Sequence, residues 1–438
     1  MNAKTLLISV GGSPDPIVFS IRGIRPRPEK IIFFTSKSTR ASVMKTILPA
    51  LGDEAKRLEY EVINTNDEQD IEACVFILMK KVPSALKKLG APETNWPSYV
   101  DCTGGTKVMS SAVVWASSLF PCEIIYVGTQ GTRSKSGVGI VRSGQEHIVL
   151  RKNPWNSVGY IEARSALEAF NRGQYGVAAE ALSKLSKKIT DPKTSQLFDC
   201  LGKVFHGYYC WDIFDHKEAR KLLRKWLDEL QPIADEPEAD EQQIVIPGLK
   251  EFIRSALEQL SLLDDIAVPE KHGWFLTRDL LANARRRGEL EQKYEDAVAR
   301  CYSAIEKIAQ TELKNKHGIM DTGNVNPMQI PESIREDYCR RYGGNSGRSL
   351  RLALHAGMEL LLHLEQEKGV KSVGHRFSYL LRKPKSTLDK LIKERNRSIL
   401  AHGDVPMNQD KYRKLLENAL ELMNLKESQL MSFPKFPI

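Results

Sequence analysis

Arg395, Asn396 and His402 are the residues of this chain best suited by type and spacing to do chemistry. They set a permanent cation, an amide and an imidazole in one short run, Glu394-Arg395-Asn396-Arg397-Ser398-Ile399-Leu400-Ala401-His402. Read as one continuous helix, Arg395 and His402 lie close to two turns apart, and their side chains fall within about 20° of each other around the axis. Both can then serve one phosphate. The guanidinium offers a fixed fork of donors to charge developing on a phosphorane. The imidazole titrates near neutrality and can take a proton from an attacking oxygen or give one to a departing oxygen. RNA carries its own nucleophile in the 2′-hydroxyl, so this pair can suffice to cleave it without a metal, leaving a 2′,3′-cyclic phosphate and a 5′-hydroxyl. Asn396 would orient the phosphate or the imidazole. Arg397 also precedes His402, but five helical steps put the two about 140° apart. Arg395 is therefore preferred as the cation, with Arg397 left open. On spacing alone, a solvated helix face with His402 packed ahead of Gly403 is the more ordinary explanation of the run, since Arg and His at such spacing are common. From His375 to His402, Arg376, Arg382, Lys383, Lys385, Lys390, Lys393, Arg395 and Arg397 face only Asp389 and Glu394 in opposition. A cationic surface of this kind suits a nucleic-acid backbone.

A second run, Asp101-Cys102-Thr103-Gly104-Gly105-Thr106-Lys107, follows a strand-like segment and opens a helix-like one. Two glycines let backbone amides approach a ligand with no Cβ in the way. A helix N-terminus gathers free N–H groups and positive potential. Thr103 and Thr106 add hydroxyls and Lys107 a charge. The spacing fits neither a Walker A loop nor G-x-G-x-x-G. The run is either a phosphate or nucleotide cradle or a tight strand-to-helix turn with a capping threonine. Two further strand ends are polar, Gly11-Gly12-Ser13 and Ser36-Lys37-Ser38-Thr39, and one crevice could gather all three.

The elements that must hold these runs come in two styles. Over residues 1–150, apolar segments at Thr5–Val10, Lys30–Thr35, Leu58–Asn64, Ser98–Cys102 and Cys122–Val127 alternate with helical ones, which predicts a parallel, doubly wound sheet. Ligands on such sheets sit beyond the carboxyl ends of the strands. Asn153-Pro154-Trp155 reads as a linker, and beyond it the pattern is helical. Phe170 to Ala178 reads as one helical hairpin. Asp235–Gln243 is an acidic break punctuated by Pro247-Gly248. Tyr294–Ile308 is amphipathic at helical spacing, Met320–Ser349 reads as a loop or insertion, and helices resume at Leu350–Glu365, 385–402 and 408–428. The expected domains are 1–150, 151–248 and 249–438.

The strand ending in small residues, followed by D-x-T-G-G-T-K-x-M over Asp101–Met109, resembles a CARF domain, the Rossmann-like sensor of type III CRISPR systems. The resemblance covers roughly residues 1–150. It implies that the domain dimerises and binds a cyclic oligoadenylate, with four adenylates the expected ring size. It assigns ligand contacts to Thr103, Gly104, Gly105, Thr106 and Lys107, and with less weight to Gly11, Gly12, Ser13, Ser36 and Ser38. Some CARF domains cut their own ligand slowly, a point the sequence leaves open. The string from Glu394 to Gly403 resembles the R-x4–6-H signature of HEPN ribonucleases, and Tyr294–Glu306 resembles their first core helix. This second resemblance covers about residues 275–425. HEPN sites are composites of two copies, which implies a homodimer with Arg395, Asn396 and His402 as catalytic residues.

Bulk properties agree with these expectations. A net charge of +9 permits an anionic partner. Seven scattered cysteines without a C-x-x-C pair suggest neither zinc nor disulfides, and fit a reducing cytoplasm. No apolar run is long enough for a membrane span. Asp15, Asp101 and Glu123 form no metal-ligand pattern, and His355 and His363 fit packing roles on an apolar helix. Arg285-Arg286-Arg287 fits a solvated helix end at least as well as an RNA contact. The expectation is therefore an α/β Rossmann-like sensor followed by an all-α half: a cyclic-oligoadenylate-activated, metal-independent endoribonuclease of antiviral defence acting on single-stranded RNA. No metal or cofactor is expected beyond the activator. The chief alternative is a nucleotide-sensing regulator whose helical half only binds a partner. A HEPN toxin of a toxin pair is a further one, although such toxins are usually small and lack a sensor domain.

Overall fold

The structure, a computed structural model, describes residues 4–91, 96–129, 146–235, 246–265, 268–343, 349–382, 388–401 and 403–437. The chain forms two compact units, each described by itself. The first lies within Met1–Ser165 and Ala181–Asp199, the second within Ala166–Glu180, Cys200–Glu236 and Ile246–Ile438.

The first unit is built on β1 (Thr5–Ser9), β2 (Lys30–Thr35), β3 (Glu59–Asn64), β4 (Tyr99–Asp101), β5 (Glu123–Thr129) and β6 (Glu146–Lys152). They form one sheet in the order β3-β2-β1-β4-β5-β6. The first five strands are parallel, and β6 runs antiparallel to β5. Alternation along the strands sends Leu7, Ile32, Phe34 and Val100 to a core shared with helices Ile71–Lys88 and Lys107–Ser117. Leu6, Ile8, Ile31 and Phe33 face the other side, where helix Asp15–Gly23 packs. Both faces are covered, which is why these strands read as unbroken apolar runs. The expected doubly wound sheet is present. Strand β6 was not foreseen, because Glu146, His147, Arg151 and Lys152 give its sequence the charge of an edge strand rather than a core one.

The expected linker at Asn153-Pro154-Trp155 is a tight joint. Asn153 is buried, its amide donates to the Lys188 carbonyl at 2.8 Å, and its Oδ1 accepts from the Trp155 N–H at 2.9 Å. The hairpin expected at Phe170–Ala178 is there, with helices Trp155–Asn171 and Tyr175–Ser186 turning at Gly173, where φ is +85°.

The second unit is helical. Phe170, Phe205 and Phe252 form an aromatic cluster completed by the chain's last segment, with Phe436 stacked 4.3 Å from Phe252. The Phe436 backbone is held by Asn171 through bonds of 2.8 and 3.0 Å. Helix Tyr294–His317 runs through a larger core with helices Leu354–Glu367, Val373–Arg382 and Gln409–Met423. The stretch expected as a loop at Met320–Ser349 holds helix Glu332–Tyr342. Among its residues only Tyr338 is buried, so it shows little apolar periodicity. The triple arginine faces inward. Arg286 Nε donates to Asp212 at 2.9 Å, Arg287 pairs with Asp212 and Glu291, and Arg285 donates to the carbonyls of Glu427 and Met431 at 3.1 and 3.2 Å. A buried ion network is invisible to a reading that treats a charge run as surface. Among the described residues no helix is long and apolar enough to cross a membrane.

Candidate functional site

The sheet order reverses between β1 and β4, which opens a crevice beyond their carboxyl ends. The loops after these strands, Val10–Ser13 and Cys102–Thr106, touch one another there. A Cβ on Gly104 would sit 2.3 Å from the Ser9 carbonyl oxygen, and one on Gly11 would sit 2.7 Å from the Gly105 nitrogen. Gly105 also has φ of +87°, a left-handed conformation. Each of these three positions is therefore closed to a side chain. Ser9 and Ser110 clamp the loop by donating to the Gly104 carbonyl at 2.6 and 2.8 Å. Neither serine was singled out from sequence. Nothing in their local pattern marks them, because their partner is a backbone oxygen brought in by the fold.

The threonine hydroxyls expected to face a ligand are engaged by the fold itself. Thr103 Oγ1 accepts from the Val127 N–H at 2.8 Å. Thr106 Oγ1 donates to the Glu68 carbonyl at 2.7 Å and caps helix Lys107–Ser117 by accepting from the Met109 N–H at 3.1 Å. Among the described residues, the Gly104 and Gly105 amides donate to no partner. They stand beside a helix N-terminus and the exposed Lys107. Gly12 and Ser13 are exposed on the facing loop. Ser36 is buried in a hydroxyl cluster, 2.8 Å from Ser38 Oγ and 3.1 Å from Thr39 Oγ1. Beneath the cradle Asp101 is fully buried and accepts from the Thr103 N–H at 2.7 Å. Burial pushes its carboxyl above the usual carboxylate range.

The Arg395 run has a different geometry from the one expected. Helix Leu388–Asn396 ends at Asn396 and is followed by a 3₁₀ turn at Ile399–Ala401. Among the described residues the helix expected over 385–402 therefore stops at Asn396. The physical reason is the pull of Ser398 into the core, where it bridges Val405. The chain tightens to three-residue bonds, from Arg397 N–H to the Glu394 carbonyl and from Ser398 N–H to the Arg395 carbonyl, both 3.0 Å. It then closes as a loop. The Ala401 and Gly403 N–H groups donate to the Ser398 carbonyl at 2.9 and 2.8 Å, and the Val405 N–H donates to the Arg397 carbonyl at 3.1 Å. A Cβ on Gly403 would lie 2.0 Å from that carbonyl. His402 lies outside the described residues.

Arg395 is half-buried. Its guanidinium lies 4.1 Å from the centre of the Tyr302 ring, on helix Tyr294–His317. Its Nε is buried without a hydrogen-bond partner, and its Nη1 donates to Asn396 Oδ1 at 3.4 Å. Burial raises the Tyr302 hydroxyl above its ordinary value, Glu306 adds to this, and Arg395 opposes it. Sequence reading missed Tyr302, whose spacing on an amphipathic helix is that of a packing residue. Asn396 and Arg397 are exposed. The two acidic groups of the region are matched by lysines, Asp389 by Lys393 at 2.6 Å and Glu394 by Lys411 at 3.3 Å. This leaves Arg395 and Arg397 without a carboxylate partner among the described residues.

Comparison with known proteins bears on both regions. A family model described as Csm6 HEPN domain matches residues 266–426, and one described as Csm6 6H domain matches residues 158–263. The CRISPR system endoribonuclease Csm6 of Thermus thermophilus is 26% identical over 416 residues, which is 91% of this chain and 80% of that protein. A solved structure of Enterococcus italicus Csm6 bound to cyclic hexa-2′-fluoro-hexa-dAMP superposes with a TM-score of 0.61 at 12% identity, covering 98% of this chain and 96% of that one. That likeness bears on the fold, and the α/β unit followed by a helical half is the shared architecture. With a Csm6 6H model matching residues 158–263 and a Csm6 HEPN model matching residues 266–426, together more than half of its length, the chain belongs to the Csm6 family.

Proposed function

We propose that this protein is a cyclic-oligoadenylate-activated endoribonuclease that cuts single-stranded RNA at a site shared between two copies of the chain. The observation that carries this reading is the setting of Arg395 within the HEPN match. Its guanidinium is held over the Tyr302 ring at 4.1 Å with no carboxylate partner among the described residues, which supports its charge being left for a phosphate. Arg395 stabilises the phosphorane, Asn396 orients the phosphate or the imidazole, and His402 moves the proton of the 2′-hydroxyl or of the leaving 5′-oxygen. The 2′-hydroxyl is the nucleophile, so the reaction proceeds without a metal and leaves a 2′,3′-cyclic phosphate. The Thermus relative is named as an endoribonuclease, which supports the assignment.

Large apolar side chains left exposed in both units support a homodimer. In the first unit Phe76 and Trp115, on neighbouring helices, are 65% and 61% exposed, and in the second Ile399 and Leu400 are 56% and 54% exposed beside Arg397. The activator binds at the switch-point crevice, through the amides of Gly104 and Gly105, Lys107 and the facing Gly11-Gly12-Ser13 loop. It activates by favouring one dimer geometry over another. Four adenylates is the ring size expected from sequence, whereas the Enterococcus structure holds a six-membered ring. The test is incubation with labelled single-stranded RNA and EDTA, with no ligand or with cyclic tetra- and hexa-adenylate. Cleavage that requires one ring and disappears in His402→Ala supports the reading. Tight ligand binding with intact RNA overturns it in favour of a sensing regulator.

A further inference from the structure

Far from both sites in sequence, helix His216–Asp235 walls a groove of about 750 Å³ together with Leu263. The groove's cations are Lys217, Arg220, Lys221, Arg224 and Lys225, and they recur on successive turns of one helix face. The neighbouring carboxylates are few. Asp264 accepts from Arg220 Nε at 2.7 Å and from Arg224 Nη2 at 3.0 Å, and Glu218 pairs with Lys221 at 3.1 Å. Five positive groups against these two negative ones leave the groove strongly cationic. Lys217 has no ion pair among the described residues, and Lys225 contacts only the Trp226 ring, 4.5 Å away.

The N-terminus of this helix is capped by Asp215, which accepts from the Glu218 N–H at 3.1 Å, and Glu218 is the acidic residue of its first turn. Beyond that cap, the cations from Lys217 to Lys225 outnumber the carboxylates paired with them, so this face presents net positive charge. His216, at the groove's end, bonds Asp279 at 2.7 Å, and Asp279 lies on helix Pro269–Arg285. The groove is thus fastened to the domain that carries Arg395.

We propose that this groove is a second docking site for RNA, gripping the sugar–phosphate backbone of a single strand outside the cleavage site. The identity of the partner rests on RNA being the substrate, while the site itself rests on the groove. Exposed lysines spaced one turn apart, about 5.4 Å, can follow a flexible strand through its phosphates without reading bases. Long strands then bind better than short ones, and with a steeper dependence on salt.

The test measures binding of the full-length protein to 2′-O-methyl RNA, which lacks the nucleophile and stays intact. Labelled strands of about 30 nucleotides and about 8 nucleotides are compared, the shorter matching one single-strand site. Lys217→Gln/Lys221→Gln/Lys225→Gln, and the corresponding Glu triple, alter only exposed side chains, and unchanged melting verifies their fold. The expected result for the Gln triple is about tenfold weaker binding of the long strand, and a slope of log K against log salt shallower by about 2, three phosphates at about 0.7 each. The Glu triple weakens it further, and binding of the short strand is unchanged in both. Equal losses on both lengths, or an unaltered slope, overturn the proposal. Readout by binding separates it from the nuclease reading. RNA left intact in the ligand assay with the length effect preserved sinks the nuclease alone, and ligand-dependent cleavage without a length effect sinks the groove alone.

Discussion

The switch-point crevice and the Arg395 loop are built from opposite materials. In the crevice the side chains hold the backbone and the backbone faces outward: Ser9, Thr103, Thr106 and Ser110 are all bonded to main-chain groups. In the Arg395 loop the backbone holds itself, through the Ser398 and Arg397 carbonyls, and the side chains of Arg395, Asn396 and Arg397 are left for chemistry. A site made of amides is sensitive to shape, because its donors are identical in every residue and only their placement is specific. A site made of side chains is sensitive to identity. The two regions should therefore fail in different ways when substituted.

The largest effect is expected at the side-chain site. His402→Ala and Arg395→Ala each lower the RNA cleavage rate by about 10² to 10⁴, the range for losing a proton-transfer group or a transition-state donor. Ligand affinity stays unchanged. Arg397→Ala discriminates between the two candidate cations. If Arg397→Ala loses single-turnover cleavage while Arg395→Ala keeps it, the assignment of the cation passes to Arg397.

In the crevice the expected losses follow shape. Gly104→Ala forces a Cβ to within 2.3 Å of the Ser9 carbonyl oxygen, so the two loops must separate. Activator binding, measured by calorimetry, should fall below detection, with about 1–3 kcal/mol of stability lost to overpacking. Thr103→Val keeps the shape and removes the acceptor of the Val127 amide. It should lower stability by about 1–3 kcal/mol while changing ligand affinity little. A large affinity loss with little destabilisation would show that the Thr103 hydroxyl meets the ligand, and would break the contrast between the two regions.

Tyr302 tests the same contrast on a finer scale. Removing its ring by Tyr302→Leu takes away a cation–π contact of about 0.5–2 kcal/mol, so kcat should drop about tenfold with KM little changed. Tyr302→Phe keeps the ring and should keep the rate. If both variants lose equally, the hydroxyl rather than the ring positions Arg395.

Much of this was legible in sequence, and the exceptions have a common cause. The strands β1 to β5 could be read because both sheet faces are buried, so each strand is an apolar run. Helix Tyr294–His317 could be read because its burial follows the helical period. The glycine cradle could be found because Gly11, Gly104 and Gly105 sit where no side chain fits, a requirement that residue type announces. What stayed hidden depends on partners distant in the chain. Nothing near Ser398 shows that Val405 will pair with it and end the helix at Asn396. Nothing near Arg286 shows that Asp212 will pull it inward, and nothing near Tyr302 shows that a guanidinium will lie on its ring. Strand β6 was missed because edge strands tolerate charge.

Asp101 gives the smallest expected effect and the most direct probe of how the cradle is supported. Its carboxyl is buried and its folded-state pKa lies above the ordinary value of 3.8. Between that value and the raised one, the folded chain keeps a proton that the unfolded chain has released. Stability therefore falls as pH rises through this window, and the full penalty is present above it. Asp101→Asn removes the titration and retains an acceptor for the Thr103 amide. The variant should match the parent in stability below about pH 3.8 and exceed it modestly at pH 7, as followed by chemical denaturation at several pH values. Ligand affinity should be unchanged, because the group holds the cradle from beneath. If Asp101→Asn instead loses ligand binding at neutral pH with its stability intact, the carboxylate itself faces the bound molecule, and the crevice joins the Arg395 loop as a site governed by side-chain identity.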